Sequence, residues 1–471
     1  MKKIILISTL LFTILCGSIY VFTKNNLITY RKAYKSVNII ESLQGINSLY
    51  QQNNTAVPNS IKDLLANNLK SPFDPSNIKQ IEVKKNNVTR LYPNIEYRAL
   101  YTPNDTQQWY TEKIKAPSVW DKTTGSESTT VAVIDTGFAL KHDELFDRWA
   151  TNTAEMGGGK ETNGVDDDGN GYVDDWRGWD FYQADNNPNA GSVNTSGSSV
   201  SHGTSVAGLV GATGNNSLGV ASINWRTKIL PLQALSDQGV GYTLTVAQAM
   251  HYAVDRGADV ISLSLGADTP DDLILDEINY AIAHNVLVVA AAGNGGCDCL
   301  LYPANYSGVL SVGATDQNDA VASFSSYGRD LDIVAPGSGS IVSPIYSAAN
   351  AQNAYSASLY GTSFAAPIAS GLAALLKGAA PNATTADIIS WIKSSADPLP
   401  GGKSGSGRIN AYNSLLTAKP DIANNLPVRY MPLYRLYKND KTYLHTTSSD
   451  RQKAGVIEQS YSYDITKYVS Y

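Results

Sequence analysis

Cysteine is scarce in this chain: three among 471 residues, at Cys16, Cys297 and Cys299. That excludes a disulfide framework. Cys297 and Cys299 stand one residue apart, a strained spacing for a bridge and too few ligands for a zinc site, so they read as bystanders. Histidine is nearly as rare, with five. Neither sign of charge dominates: 36 Lys and Arg against 42 Asp and Glu leave a net charge of -6, which carries no electrostatic footprint for nucleic acid. Past residue 22 no apolar run is long enough to span a bilayer. The tripeptide Asp135-Thr136-Gly137 occurs once, which removes an aspartic-protease dyad. Ser363 lacks a Gly-x-Ser-x-Gly elbow, and the Gly-Asn-Gly-Gly run at 293–296 lacks the Lys of a phosphate loop.

What is present divides the chain into four stretches. Met1-Lys2-Lys3 and the apolar run after it give residues 1–22 the form of a signal peptide, with small residues Cys16 and Ser18 placed for cleavage, or of an N-terminal anchor. The expectation is a secreted or extracytoplasmic protein, on a membrane only if that segment stays uncleaved. Residues 23–102 are polar, with a helical pattern at Tyr34, Val37, Ile40, Leu43, Ile46 and Leu49, a second ending near Leu69, and alternating strand-like runs from Ile81 to Asp105. They read as a spacer or a pro-region. Residues 103–418 alternate β-branched strands with helices, which predicts α/β architecture: a mostly parallel sheet flanked by helices on both faces. Residues 427–471 are Tyr-rich and read as a short C-terminal β appendage used for packing.

Chemistry concentrates at the boundaries of those elements. Ser363 follows Gly361-Thr362 and opens a run of small apolar residues, where a helix start leaves backbone N–H groups able to hold an oxyanion; Pro367 is expected in the first turn. By itself such a Ser is an ordinary N-cap. Asp135 ends the buried strand "TTVAVI", His202 opens a loop-to-helix run, and Asn294 ends the strand "VLVVAAAGN". A neutral Ser needs a base, and the base needs an orienting carboxylate; Asp135, His202 and Ser363 supply those roles, with Asn294 and the Ser363 N–H as oxyanion donors. Between Asn163 and Phe181, Asp166, Asp168, Asn170, Tyr172, Asp174 and Asp175 crowd around Gly169 and Gly171, an oxygen-rich turn suited to Ca2+.

The boxes "VAVIDTG", "HGTSVAG", "AAAGN" and "YGTSFAAP", in that order, closely resemble those of subtilisin-like serine proteases (subtilases, peptidase family S8, secreted bacterial type). The resemblance implies the three-layer α/β/α subtilisin fold and a calcium-stabilised secreted serine endopeptidase. By it Asp135 orients, His202 is base then acid, Ser363 attacks to form an acyl-enzyme and Asn294 stabilises the oxyanion. It further implies a second Ca2+ site at Gln108, Glu144 and Asn216, with Glu144 where relatives carry Asp. Substrate would run between Ser264, Leu265, Gly266 and Ala291, Ala292, Gly293, pairing with both. Calcium would be structural, with no cofactor for catalysis. The partners implied are protein or peptide substrates and the chain's own pro-region as an intramolecular inhibitor, in a monomer. The alternative is a non-catalytic subtilisin-fold binding protein, whose mark would be a missing triad or oxyanion residue.

Overall fold

The computed structural model describes residues 108–424, apart from 192–197, 217–218 and 347–353, and outside that range only the backbone of several strands. Its centre is a sheet of seven strands: β1 (Thr130–Asp135), β2 (Trp179–Asp180), β3 (Lys228–Gln233), β4 (Val260–Leu263), β5 (Leu287–Ala291), β6 (Leu310–Thr315) and β7 (Ile333–Pro336). Their order is β7-β6-β5-β4-β1-β3-β2, and every neighbouring pair is parallel.

Successive residues of a strand face opposite ways. Val131 and Val133 therefore enter the layer that holds α1 (His202–Gly211) and α4 (Thr362–Ala379). Ala132 and Ile134 enter the other, with α2 (Thr243–Asp255) and α3 (Asp272–Ala283). With both faces covered, the strands read as continuous apolar runs instead of alternating ones. This is the expected three-layer α/β/α fold.

Pro367 sits differently from expectation. The helix begins at Thr362, so Pro367 is its sixth residue and falls beyond the first turn. Proline has no N–H for the carbonyl four residues back, which is that of Ser363; Ser264 Oγ donates to that carbonyl instead, at 2.7 Å.

Towards the N-terminus, Ser18–Thr23, Asn26–Arg31, Gln80–Lys85 and Val88–Pro93 form a four-stranded antiparallel sheet. The helices expected at 34–69 lie outside the described residues, as does most of the 1–22 segment. The Tyr-rich tail forms a three-stranded antiparallel sheet of Tyr430–Lys438, Lys441–His445 and Tyr463–Ser470. Among the described residues no helix is long and apolar enough to cross a membrane.

Candidate active site

Asp135 is the last residue of β1 and His202 the first of α1. Both are buried, and His202 Nδ1 lies 2.7 Å from Asp135 Oδ1. The same oxygen accepts the Thr136 N–H at 2.7 Å, and Thr136 Oγ1 in turn accepts the Gly203 N–H at 3.0 Å. Strand end and helix start are thus tied on both sides of the pair. Gly203 is required for this approach: a Cβ there would fall 2.7 Å from the Gly137 carbonyl and 3.2 Å from Asp135 Cβ.

Ser363 comes from the neighbouring helix of the same layer as the second residue of α4, fully buried, its hydroxyl donating to the Ser264 carbonyl at 3.3 Å. With the Ser264 hydroxyl bond already described, Ser264 grips both the hydroxyl and the carbonyl of Ser363. The adjacent Phe364 ring lies 5.5 Å from the His202 ring, which brings the helix start against the imidazole. Asn294 Oδ1 accepts from both the Thr362 N–H and hydroxyl, each at 3.0 Å. Those two bonds fix the amide orientation, so that its donor end points away from Thr362. Ser264, expected along the substrate path, instead reaches Ser363 itself, and Thr362 holds Asn294; both roles join segments far apart in the chain.

Glu96–Ala99 lies as an extended strand between Leu265–Gly266 and Val240–Tyr242, antiparallel to both, with Ala99 opposite Leu265 and Arg98 opposite Gly266 and Val240. Leu265–Gly266 and Val240–Tyr242 are thus the two segments that pair with this strand, while the backbone of Ala292 and Gly293 is engaged elsewhere. The Ala292 N–H goes to Val312, the Ala292 carbonyl takes the Leu301 N–H, and the Gly293 N–H goes to Thr362 Oγ1.

Cys297 and Cys299 correct the expectation of bystanders, because they form a disulfide. Side chains two apart on extended backbone share a side. Here the Cys297 carbonyl and the Cys299 N–H both bond Tyr327, and the Cα atoms come to 5.2 Å, within bridging range.

In the acidic loop, Asp166 and Asp168 converge with Glu155, their ligand oxygens all within 4.8 Å of one another. Glu155 is fully buried; Oε1 accepts the Asp167 and Asp168 N–H groups, while Oε2 has no hydrogen-bond partner. Burial raises its pKa, with Asp175 and Asp167 adding to the rise. No local pattern flagged Glu155, which lies upstream of the loop. Asp166 and Asp168 also accept hydrogen bonds within the loop, Asp166 from the Gly169, Asn170 and Gly171 N–H groups and Asp168 from the Asn170 N–H and the Asn152 amide; Asn170, Asp174 and Asp175 lie outside the converging trio. Asn170 Nδ2 donates to Asp175 Oδ2 at 2.8 Å, Tyr252 donates to the same oxygen at 2.5 Å, and Asp174 accepts the Gly164 N–H. The Tyr172 ring packs among Trp179, Phe181 and Tyr252.

The other predicted group also assembles. Buried Glu144 accepts from the Val220 N–H, the Tyr355 hydroxyl and the Asn216 amide, while Gln108 bonds both backbone groups of Ala221. Both Glu144 oxygens are therefore engaged by protein donors.

Residues 126–425 match the Subtilase family. The chain is 37% identical over 375 residues to the thermophilic serine proteinase of Bacillus sp. strain AK1, covering 77% of this chain and 81% of that protein. Against thermitase of Thermoactinomyces vulgaris it is 36% identical over 321 residues, covering 67% and 99%. Against subtilisin Savinase of Lederbergia lenta it is 34% identical over 308 residues, covering 64% and 96%. The chain belongs to the subtilase family of serine-type endopeptidases.

Proposed function

We propose that Ser363 is the nucleophile of a cation-stabilised endopeptidase whose own N-terminal region occupies the cleft before maturation. The observation that carries the catalytic reading is the buried 2.7 Å bond between Asp135 and His202, with the Ser363 helix start packed against that imidazole. Ser363 Oγ attacks the substrate carbonyl while His202 Nε2 takes its proton. Asp135, bonded to Nδ1, fixes the tautomer and stabilises the imidazolium that forms. The carbonyl oxygen becomes negative and takes hydrogen bonds from the Asn294 amide and the Ser363 N–H. His202 then returns the proton to the leaving amine, and water resolves the acyl-enzyme by the same route. Extended substrate binds by adding a strand between Val240–Tyr242 and Leu265–Gly266.

Glu155, Asp166 and Asp168 are the residues we expect to hold Ca2+. A buried carboxylate oxygen without a donor, facing two more carboxylates, is a costly arrangement that a hard cation relieves. The ion would neutralise the loop and take no part in the reaction. Glu144, Asn216 and Gln108 would hold a second ion only by giving up the bonds described.

The test is labelling with a fluorophosphonate probe, read by intact mass. Labelling of the mature wild type and none of Ser363→Ala is expected. Equal labelling of both would assign the nucleophile elsewhere, and no labelling of folded, mature wild type would favour a binding protein.

A further inference from the structure

Asn294 is followed by Gly295, one of three Asn-Gly pairs in the chain, with Asn163-Gly164 and Asn170-Gly171. In such a pair the glycine nitrogen can attack the asparagine amide, because the second residue has no side chain to hinder the approach. The Gly295 nitrogen gives its proton to a solvent base and bonds to Asn294 Cγ. The Cγ–Nδ2 bond breaks, the nitrogen leaves with a solvent proton as ammonia, and a cyclic imide remains. Water then opens the imide to aspartate, or to its isomer with the main chain routed through the side chain. Asn294 is half-buried and Gly295 exposed, so water reaches the pair.

One residue from a distant segment stands against that reaction. Ser326, 1% exposed, brackets Asn294: its N–H donates to the Gly293 carbonyl at 2.9 Å, and its Oγ accepts the Gly295 N–H at 3.1 Å. Cys299 Sγ lies 3.5 Å from the same hydroxyl, and the Gly296 N–H adds a bond to the Phe324 carbonyl at 2.7 Å. The attacking nitrogen is therefore committed to Ser326, while the side chain it would attack is held by Thr362 at the start of α4. Asn163 and Asn170 differ. Each folds Oδ1 back onto its own chain, accepting the Val165 and Tyr172 N–H groups at 2.7 Å, and their glycine N–H groups go to Asp174 and Asp166.

We propose that Asn294-Gly295 is a deamidation site whose conversion ends the working life of the enzyme, and that Ser326 is the positioning residue that delays it. The loss of activity rests on Asn294 being an oxyanion donor. A carboxylate in its place offers no N–H and sets a negative charge beside the one that forms.

The test ages mature wild type and Ser326→Ala at mildly alkaline pH, dilute enough to limit self-digestion, and follows full-length chains by peptide mass mapping. Ser326→Ala should convert Asn294 roughly three- to tenfold faster than wild type, the factor for one hydrogen bond lost from a backbone N–H, with Asn163 and Asn170 converting at unchanged rates. Ser326→Thr, which keeps the hydroxyl, should restore the wild-type rate. Activity per full-length chain should fall in proportion to the converted fraction. Conversion of Asn294 no faster in Ser326→Ala, or equal acceleration at all three pairs as general loosening would give, would overturn the role of Ser326. Conversion of Asn294 without loss of activity would overturn the oxyanion reading, and with it the effect on working life, while the modification itself would stand.

Discussion

At the scale of single residues, the site depends on contacts that fix orientation. Ser264 bonds both the carbonyl and the hydroxyl of Ser363, and Thr362 fixes the Asn294 amide by donating its N–H and hydroxyl to Oδ1. Asp180, at the end of β2, is a different case. It is fully buried, and burial, reinforced by nearby Asp185, pushes its pKa up to about 7 despite bonds from the Tyr182 and Gln183 N–H groups. A carboxyl whose pKa is higher folded than unfolded binds its proton more tightly in the native state. Its contribution is therefore fully present below the unfolded value near 4 and is lost as pH rises through about 7. Urea unfolding of Ser363→Ala protein, which does not digest itself, should show stability falling over that window. Adding Asp180→Asn should flatten the slope and stabilise the protein above pH 7 by roughly 2–4 kcal/mol. An unchanged slope would place the titration elsewhere.

At the scale of elements, the acidic loop is held to α2 through Tyr252 and Asp175, and to its own upstream segment through Asn152, whose amide reaches both Asp168 and Asp175. Asn152, Asn170, Asp174 and Asp175 join Asp166 and Asp168 in the hydrogen bonds that frame the loop, and Glu155, Asp166 and Asp168 face one another within it. Chelation should lower the melting temperature of Ser363→Ala protein by about 5 °C, as expected for roughly 2.7 kcal/mol from an ion at a hundred times its Kd. Glu155→Gln should lose most of that calcium response, whereas Asp174→Asn should change stability without abolishing it. A full calcium response in Glu155→Gln would remove Glu155 from the site. The loop was legible in the sequence as a calcium candidate because Asp, Asn and Gly crowd there. Which oxygens face each other was not, since that depends on the fold returning Thr153–Glu155 beneath the turn.

For the whole molecule, the cleft is a gap in a three-stranded arrangement that the chain fills with its own Glu96–Ala99. Thr102–Pro103 pairs with Leu359–Tyr360, just before Gly361-Thr362-Ser363. Only Leu100 and Tyr101 separate the two pairings, so the bond between them is the one expected to be cut on maturation. Intact mass of the purified protein should show wild type beginning at Tyr101 and Ser363→Ala retaining residues before it. Wild type that keeps those residues while reacting with the probe would refute self-processing at this bond.

By itself the sequence determined the alternation of strands and helices, because burial on both faces of a parallel sheet leaves an unmistakable run of apolar residues. It also determined Asp135, His202, Asn294 and Ser363 as candidates, because each stands at an element boundary with a Gly within two residues. Only the tertiary structure decided that Glu96–Ala99 pairs with both Val240–Tyr242 and Leu265–Gly266, that Cys297 and Cys299 are joined and that Glu155 completes the acidic cluster. Each of those depends on where segments far apart in the chain spend their hydrogen bonds and volume, and no local pattern of residues encodes that.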